Sequence, residues 1–132
     1  SDTLTEISDL LADFAGGKDI RMERSFRSDL IIEANKTLIE IMLTNLILNA
    51  VRHNISGGEL SISLLGSLLE ISNPGEHALD ADKVFQRFSS ASVETPGSGL
   101  GLAIVSQICN RYGWSLTYKH SKGIHTFSIL FR

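Results

Sequence analysis

Three glycines alternate at Gly97, Gly99 and Gly101, and an apolar, helix-forming run follows at once (GSGLGLAIVSQICNRYG, residues 97–113). Glycine lets a backbone approach a ligand closely. A helix N-terminus adds unbonded N–H groups and the positive end of the helix dipole. Together they favour phosphate, although a glycine-rich turn that only permits tight packing has the same spacing. A dinucleotide loop needs GxGxxG, and position 102 is Leu102; a Walker loop needs Gly-Lys-Ser/Thr, which is absent. A second group lies in residues 36–53. Asn45, Asn49, Arg52 and His53 stand at i, i+4, i+7 and i+8 and share a stripe about 100° wide. Ile39, Leu43, Leu46, Ile47 and Ala50 form the apolar face beside it. Asparagine is a poor helix former and is costly to bury without partners. These amides either bond each other and nearby loops, or face a polar ligand. An amide oxygen suits Mg²⁺, which often bridges protein oxygen and substrate phosphate.

The elements that must position these groups follow from periodicity. Residues 36–53 and 98–112 predict the two helices just described. In residues 3–14, Leu4, Ile7, Leu10, Leu11 and Phe14 have helical spacing, and Gly16-Gly17 ends the run. Residues 19–33 read as two short strands around Arg27-Ser28-Asp29. Residues 59–65 and 67–72 read as a hairpin around Gly66, and Asn73-Pro74-Gly75 as a turn. Residues 76–97 are polar and loop-like, with a short helix near 80–88. Two more strands are expected at 114–120 and 124–131. Paired strands separated by helices predict an α/β two-layer sandwich: a mixed, mainly antiparallel sheet with helices packed on one face.

The whole chain, 132 residues with a net charge of −3, suits one domain and offers no dense basic patch, so no nucleic-acid partner is expected. Cys109 is the only cysteine, which excludes an internal disulfide and a cysteine-based zinc cluster and fits a reducing cytosol. No apolar run approaches the ~20 residues that span a bilayer. The start at Ser1 and the stop at Arg132, after a strand-like run, look like those of a piece cut from a longer protein, one that can still be a membrane protein. Cys109, Tyr112 and Trp114 read as packing residues, and His77, His120 and His125 as exposed or structural.

Taken in order, four segments resemble the catalytic ATP-binding domain of sensor histidine kinases: TNLILNAVRHN (44–54) its N box, ISNPG (71–75) its first glycine box, VFQRFSSAS (84–92) its F box, and residues 97–113 its second glycine box. The resemblance covers essentially the whole chain and implies the Bergerat-type fold shared with gyrase-type, heat-shock-chaperone-type and mismatch-repair ATPases. It implies ATP and Mg²⁺ as cofactors, with Asn49 on the metal. Asn45 falls where the related hydrolases place a catalytic glutamate. An amide cannot act as a general base, which fits a transferase that must not spend ATP on water. Asn45 and Asn49 are therefore the catalytic candidates. By the same resemblance, Arg52 meets the phosphates and His53 packs beside the nucleotide. Phe85 and Phe88 anchor a lid of roughly residues 76–98. Gly97, Ser98, Gly99, Leu100, Gly101 and Leu102 form the phosphate wall, and Thr126 lines the adenine pocket. The family's first glycine box is DxGxG. Here Asn73 replaces the aspartate, Gly75 is kept and His77 replaces the second glycine. An asparagine oxygen still accepts a hydrogen bond from the adenine amino group.

The resemblance further implies transfer of the γ-phosphoryl group to a histidine on a dimerisation domain that this chain lacks. None of the four histidines has the acceptor context, so the chain is expected to bind ATP without phosphorylating itself. Residues 1–16 are expected to be the tail of a preceding helical region or a linker, and 17–132 the catalytic domain. The expected partners are the missing phosphoacceptor domain and a response regulator. The isolated domain is expected to be a monomer and the parent a homodimeric phosphoprotein, an inner-membrane sensor with this domain in the cytoplasm. Two other readings remain: a degenerate signalling module of the same fold, and an ATP hydrolase of the same superfamily.

Overall fold

Residues 59–74 alternate apolar and polar side chains on either side of the Gly66 turn, and they form the middle of a sheet. The computed structural model describes residues 2–17, 20–26, 34–52, 54, 58–75 and 98–131. In chain order these are α1 (Asp2–Gly17), β1 (Arg21–Phe26), α2 (Lys36–Arg52), β2 (Glu59–Leu65), β3 (Leu68–Pro74), α3 (Ser98–Tyr112), β4 (Ser115–Ser121) and β5 (Ile124–Leu130). The sheet order is β1-β2-β3-β5-β4. β1 runs parallel to β2 and the other pairs are antiparallel. This is the expected α/β sandwich with a mixed, mainly antiparallel sheet.

One face of the sheet is apolar. Leu60, Ile62, Leu64, Leu69, Ile71, Phe127 and Ile129 are all buried there beneath the helices. The other face is polar: Ser72 Oγ lies 3.0 Å from Thr126 Oγ1, and the Ser128 hydroxyl donates to Glu70 Oε2 at 3.4 Å. From the helices, Met42, Leu43, Leu46, Ile47, Ala50 and Val51 of α2 join Leu102, Val105, Ile108 and Cys109 of α3 in a single core cluster. The buried face of α2 thus takes in Met42 and Val51 beside the predicted apolar face.

Residues 1–16, expected as a tail or linker, contribute most of α1, and Leu4 and Ile7 are buried in that same cluster. Arg24 of β1 reaches Ser8 Oγ at 3.2 Å and forms an ion pair with Asp9, fastening α1 to the sheet. The start of α2 is fixed twice. Asn35 Oδ1 caps it by accepting from the Leu38 N–H at 3.2 Å. The Asn35 N–H in turn donates to Tyr112 Oη at 3.0 Å. Tyr112 stacks on Trp114 at 4.7 Å, and Trp114 meets Phe131 edge-on at 4.8 Å. The asparagine helix is therefore anchored to the end of the glycine helix.

Two boundaries differ from expectation, at 16–17 and 73–75, and two expected elements are not wholly covered by the described residues. Gly16 and Gly17 lie inside the last turn of α1 rather than beyond it. Of the two strands expected in 19–33, β1 is one, and residues 27–33 lie outside the described residues, as does the helix expected near 80–88. The segment 73–75 is not a free turn. Asn73 and Pro74 pair with His125 and Ile124, and the Gly75 N–H donates to Gly123 O at 2.9 Å. Pairing with β5 keeps this stretch extended despite its turn-forming residues. The β4–β5 connection is a two-residue loop, Lys122 (φ 55°) and Gly123 (φ 75°), the all-positive geometry of a tight hairpin.

Candidate nucleotide-binding site

Two helices and one end of the sheet carry the predicted residues. Asn49 sits on α2 and is 5 % exposed, and its Oδ1 is buried with no hydrogen-bond partner among the described residues. A buried acceptor left unmade costs about 1–3 kcal/mol. One turn earlier, half-buried Asn45 donates its Nδ2 to Ile41 O at 2.7 Å, so the nitrogen is spent on its own helix. Arg52 is exposed in the last turn of α2. α3 begins at Ser98, which puts Gly99, Leu100 and Gly101 in its first turn, where backbone N–H groups have no helical acceptor. Leu102, 6 % exposed, points into the core. The two helices pack on each other, with Cys109 Sγ 3.9 Å from Met42 Sδ. Burial pushes the Cys109 thiol up to about 11, which suits a core residue rather than a nucleophile. His53, Phe85, Phe88 and Gly97 lie outside the described residues.

At the end of the sheet, Asn73 is 1 % exposed on the helix-facing side of β3. Its Nδ2 donates to Pro74 O at 3.1 Å. A carbonyl can only accept, so the amide nitrogen faces it and Oδ1 turns the other way. Thr126 is not on this side: it pairs with Ser72 on the outer, polar face. The residue opposite Asn73 is His125, 4 % exposed, which sequence reasoning had left as structural or exposed. Strand parity was the available signal. With Phe127 and Ile129 facing the core, residue 125 faces it too and residue 126 does not. His125 Nδ1 lies 2.7 Å from Tyr118 Oη, and the His120 Nε2–H donates to Gly75 O at 2.7 Å. A Cβ on Gly75 would overlap the His125 imidazole, so glycine is required there for that ring to fit.

Residues 34–132 match the family described as histidine kinase-, DNA gyrase B-, and HSP90-like ATPases. The chain belongs to this family. Among its curated relatives, the sensor histidine kinase HprS of Escherichia coli K12 is 34 % identical over 105 residues, which is 74 % of this chain and 23 % of HprS. The sensor-like histidine kinase SenX3 of Mycobacterium tuberculosis H37Rv is 35 % identical over 104 residues, 71 % of this chain and 25 % of SenX3. This ATPase-family chain thus spans about a quarter of the length of such relatives. Its fold matches the mycobacterial sensor histidine kinase MprB with a TM-score of 0.82 at 22 % identity, covering 98 % of this chain and 93 % of that one. The catalytic domain of histidine kinase ThkA gives 0.79 at 23 % identity, covering 98 % and 91 %. Within the family, the chain is an ATP-binding catalytic domain of the sensor histidine kinase type.

Proposed function

We propose that this domain binds ATP with Mg²⁺ and donates the γ-phosphoryl group to a histidine on a dimerisation domain outside this chain, as a protein-histidine kinase. The observation that carries the reading is Asn49 Oδ1, an acceptor buried without a partner among the described residues on the stripe that also holds Asn45. Its hard oxygen fits Mg²⁺, which when bound would screen phosphate charge. Asn45 withholds a general base from water. Arg52 and the free amides at the start of α3 offset phosphate charge, and Asn73 Oδ1 accepts from the adenine amino group. Positioning and electrostatics then carry most of the transfer. Residues 53, 85, 88 and 97 complete the nucleotide wall and lid in this reading.

Residues 17–132 form the catalytic domain, and α1 continues into the preceding helical region. The parent is a homodimeric inner-membrane sensor that passes phosphate to a response regulator, with this domain in the cytoplasm and monomeric when isolated. No helix of the described residues is long and apolar enough to cross a membrane. Calorimetric titration with a non-hydrolysable ATP analogue and Mg²⁺ tests the site. Heat that disappears in Asn49→Ala supports it, and no heat, or equal heat in both proteins, overturns it. Radiolabel from [γ-³²P]ATP appearing on this chain alone would refute the missing-acceptor reading.

A further inference from the structure

We propose that Tyr112 is a positioning residue for the phosphate site: its hydroxyl, bonded to the N-cap of α2, sets how Asn49 and Arg52 stand against the first turn of α3. The inference rests on the ATP reading above. The Asn35 N–H donates to Tyr112 Oη at 3.0 Å, and Met42 Sδ lies 3.9 Å from Cys109 Sγ. Contacts that advance along α2 while they retreat along α3 mean that the two helices run in opposite senses. The tyrosine bond therefore joins them at the ends remote from Asn49, Arg52, Gly99 and Gly101.

Nearer the site, the buried residues of both helices that join the core, Leu46 and Val105 among them, are apolar. Apolar burial holds helices together but has no direction, so it fixes their separation better than their angle. Helix length amplifies any change of angle. The 15 residues of α3 span about 21 Å at 1.5 Å per residue. A rotation of about 3° at its far end moves the first turn by about 1 Å, enough to take an N–H donor out of hydrogen-bonding range. The tyrosine ring that sets the angle is itself held. It stacks on Trp114 at 4.7 Å, and the Arg111 guanidinium lies 5.9 Å above it. Gly113 (φ 72°) ends α3, with the Trp114 N–H donating to Cys109 O at 2.9 Å, so the last turn is closed beneath the ring. Asn35 is exposed and Tyr112 half-buried. Water competes for a bond placed there, so its share in stability is small, and what it supplies is direction.

The test titrates the unaltered chain and Tyr112→Phe, with Mg²⁺, by ATP and by adenosine, which lacks the phosphates, with binding followed by NMR chemical shifts. Tyr112→Phe loses the acceptor and keeps the ring on Trp114. It is expected to bind ATP about three- to tenfold more weakly, a loss bounded by the one hydrogen bond removed, and to bind adenosine as the unaltered chain does. Gly66→Ala, which strains a turn (φ 62°) at the other end of β3 from Asn73, lowers stability without moving the ratio of the two affinities. Coupling is reciprocal. Saturating MgATP should therefore slow hydrogen exchange of the Asn35 amide in the unaltered chain by the same factor, and adenosine should not. That measurement decides the question if Tyr112→Phe does not fold. Equal weakening toward both ligands, no weakening toward ATP, or an Asn35 amide indifferent to MgATP overturns the role of Tyr112 and leaves the ATP reading intact. Absence of ATP binding by the unaltered chain, or ATP binding unaffected by Asn49→Ala, overturns the ATP reading itself.

Discussion

Replacing Asn49 by leucine separates what this residue does for the fold from what it does for the ligand. The side chain is 5 % exposed and its Oδ1 has no hydrogen-bond partner among the described residues, so the ligand-free fold carries an unmet acceptor. Such a group costs about 1–3 kcal/mol, and leucine, of similar shape, removes it. An unfolding entropy of about 2.1 cal/mol/K per residue gives roughly 0.28 kcal/mol/K for 132 residues. Asn49→Leu is therefore expected to raise the ligand-free Tm by roughly 4–10 °C. The unaltered chain should gain about 2.7 kcal/mol, close to another 10 °C, from MgATP at a hundred times its Kd. The variant should gain nothing. Differential scanning calorimetry with and without MgATP reads both effects. A variant that melts below the parent, or that still responds to MgATP, refutes the assignment of Asn49 as a ligand group held in reserve.

Three further outcomes are expected. Gly75→Ala should destabilise the chain by about 1–3 kcal/mol because its methyl meets the His125 ring. Adding His125→Ser should recover at least about 0.5 kcal/mol of that in a double-mutant cycle by urea denaturation. Asn35→Ala removes the cap of α2 and should cost about 1 kcal/mol in the same assay, with unchanged stability arguing against the cap. With burial raising the Cys109 thiol to about 11 from 9.0, the folded chain should resist iodoacetamide at pH 8 and react only on unfolding. The associated stability is present below pH 9 and fades as pH rises toward 11. Labelling of the native chain at the rate of an unfolded thiol would contradict this.

The helices and the sheet were legible because their periods differ. Leu43, Leu46, Ile47 and Ala50 recur at helical spacing, while Leu60, Ile62 and Leu64 recur at every second residue, and each set is buried as a unit. Asn49 was legible because an amide among such residues needs a reason. Asn73-Pro74-Gly75 was misread as a free turn because local chemistry favours one, and only the pairing with β5, a partner some fifty residues away in the chain, holds it extended. Thr126 faces outward and His125 inward for a different reason. A likeness in order along the chain names a neighbourhood, whereas the two-residue period of a strand decides which neighbour faces inward. β5 was legible as a strand, so the parity was available and unused. A histidine in a terminal strand also reads as a surface residue until its partners, Tyr118 and Gly75, are seen around it.

The border of the sheet at β1 has a consequence for how copies of this molecule meet. Among the described residues, β1 lies at one end of the strand order, and its sequence RMERSF alternates opposed charges along that margin. Arg21 is paired with Glu23 and Glu59, and Arg24 with Asp9. A strand from another molecule that tried to extend the sheet there would have to strip water from these pairs or break them, with little apolar surface gained in return. At the β1 margin, then, crowding of the chain in a cell or a tube does not readily zip domains into a continuous ribbon.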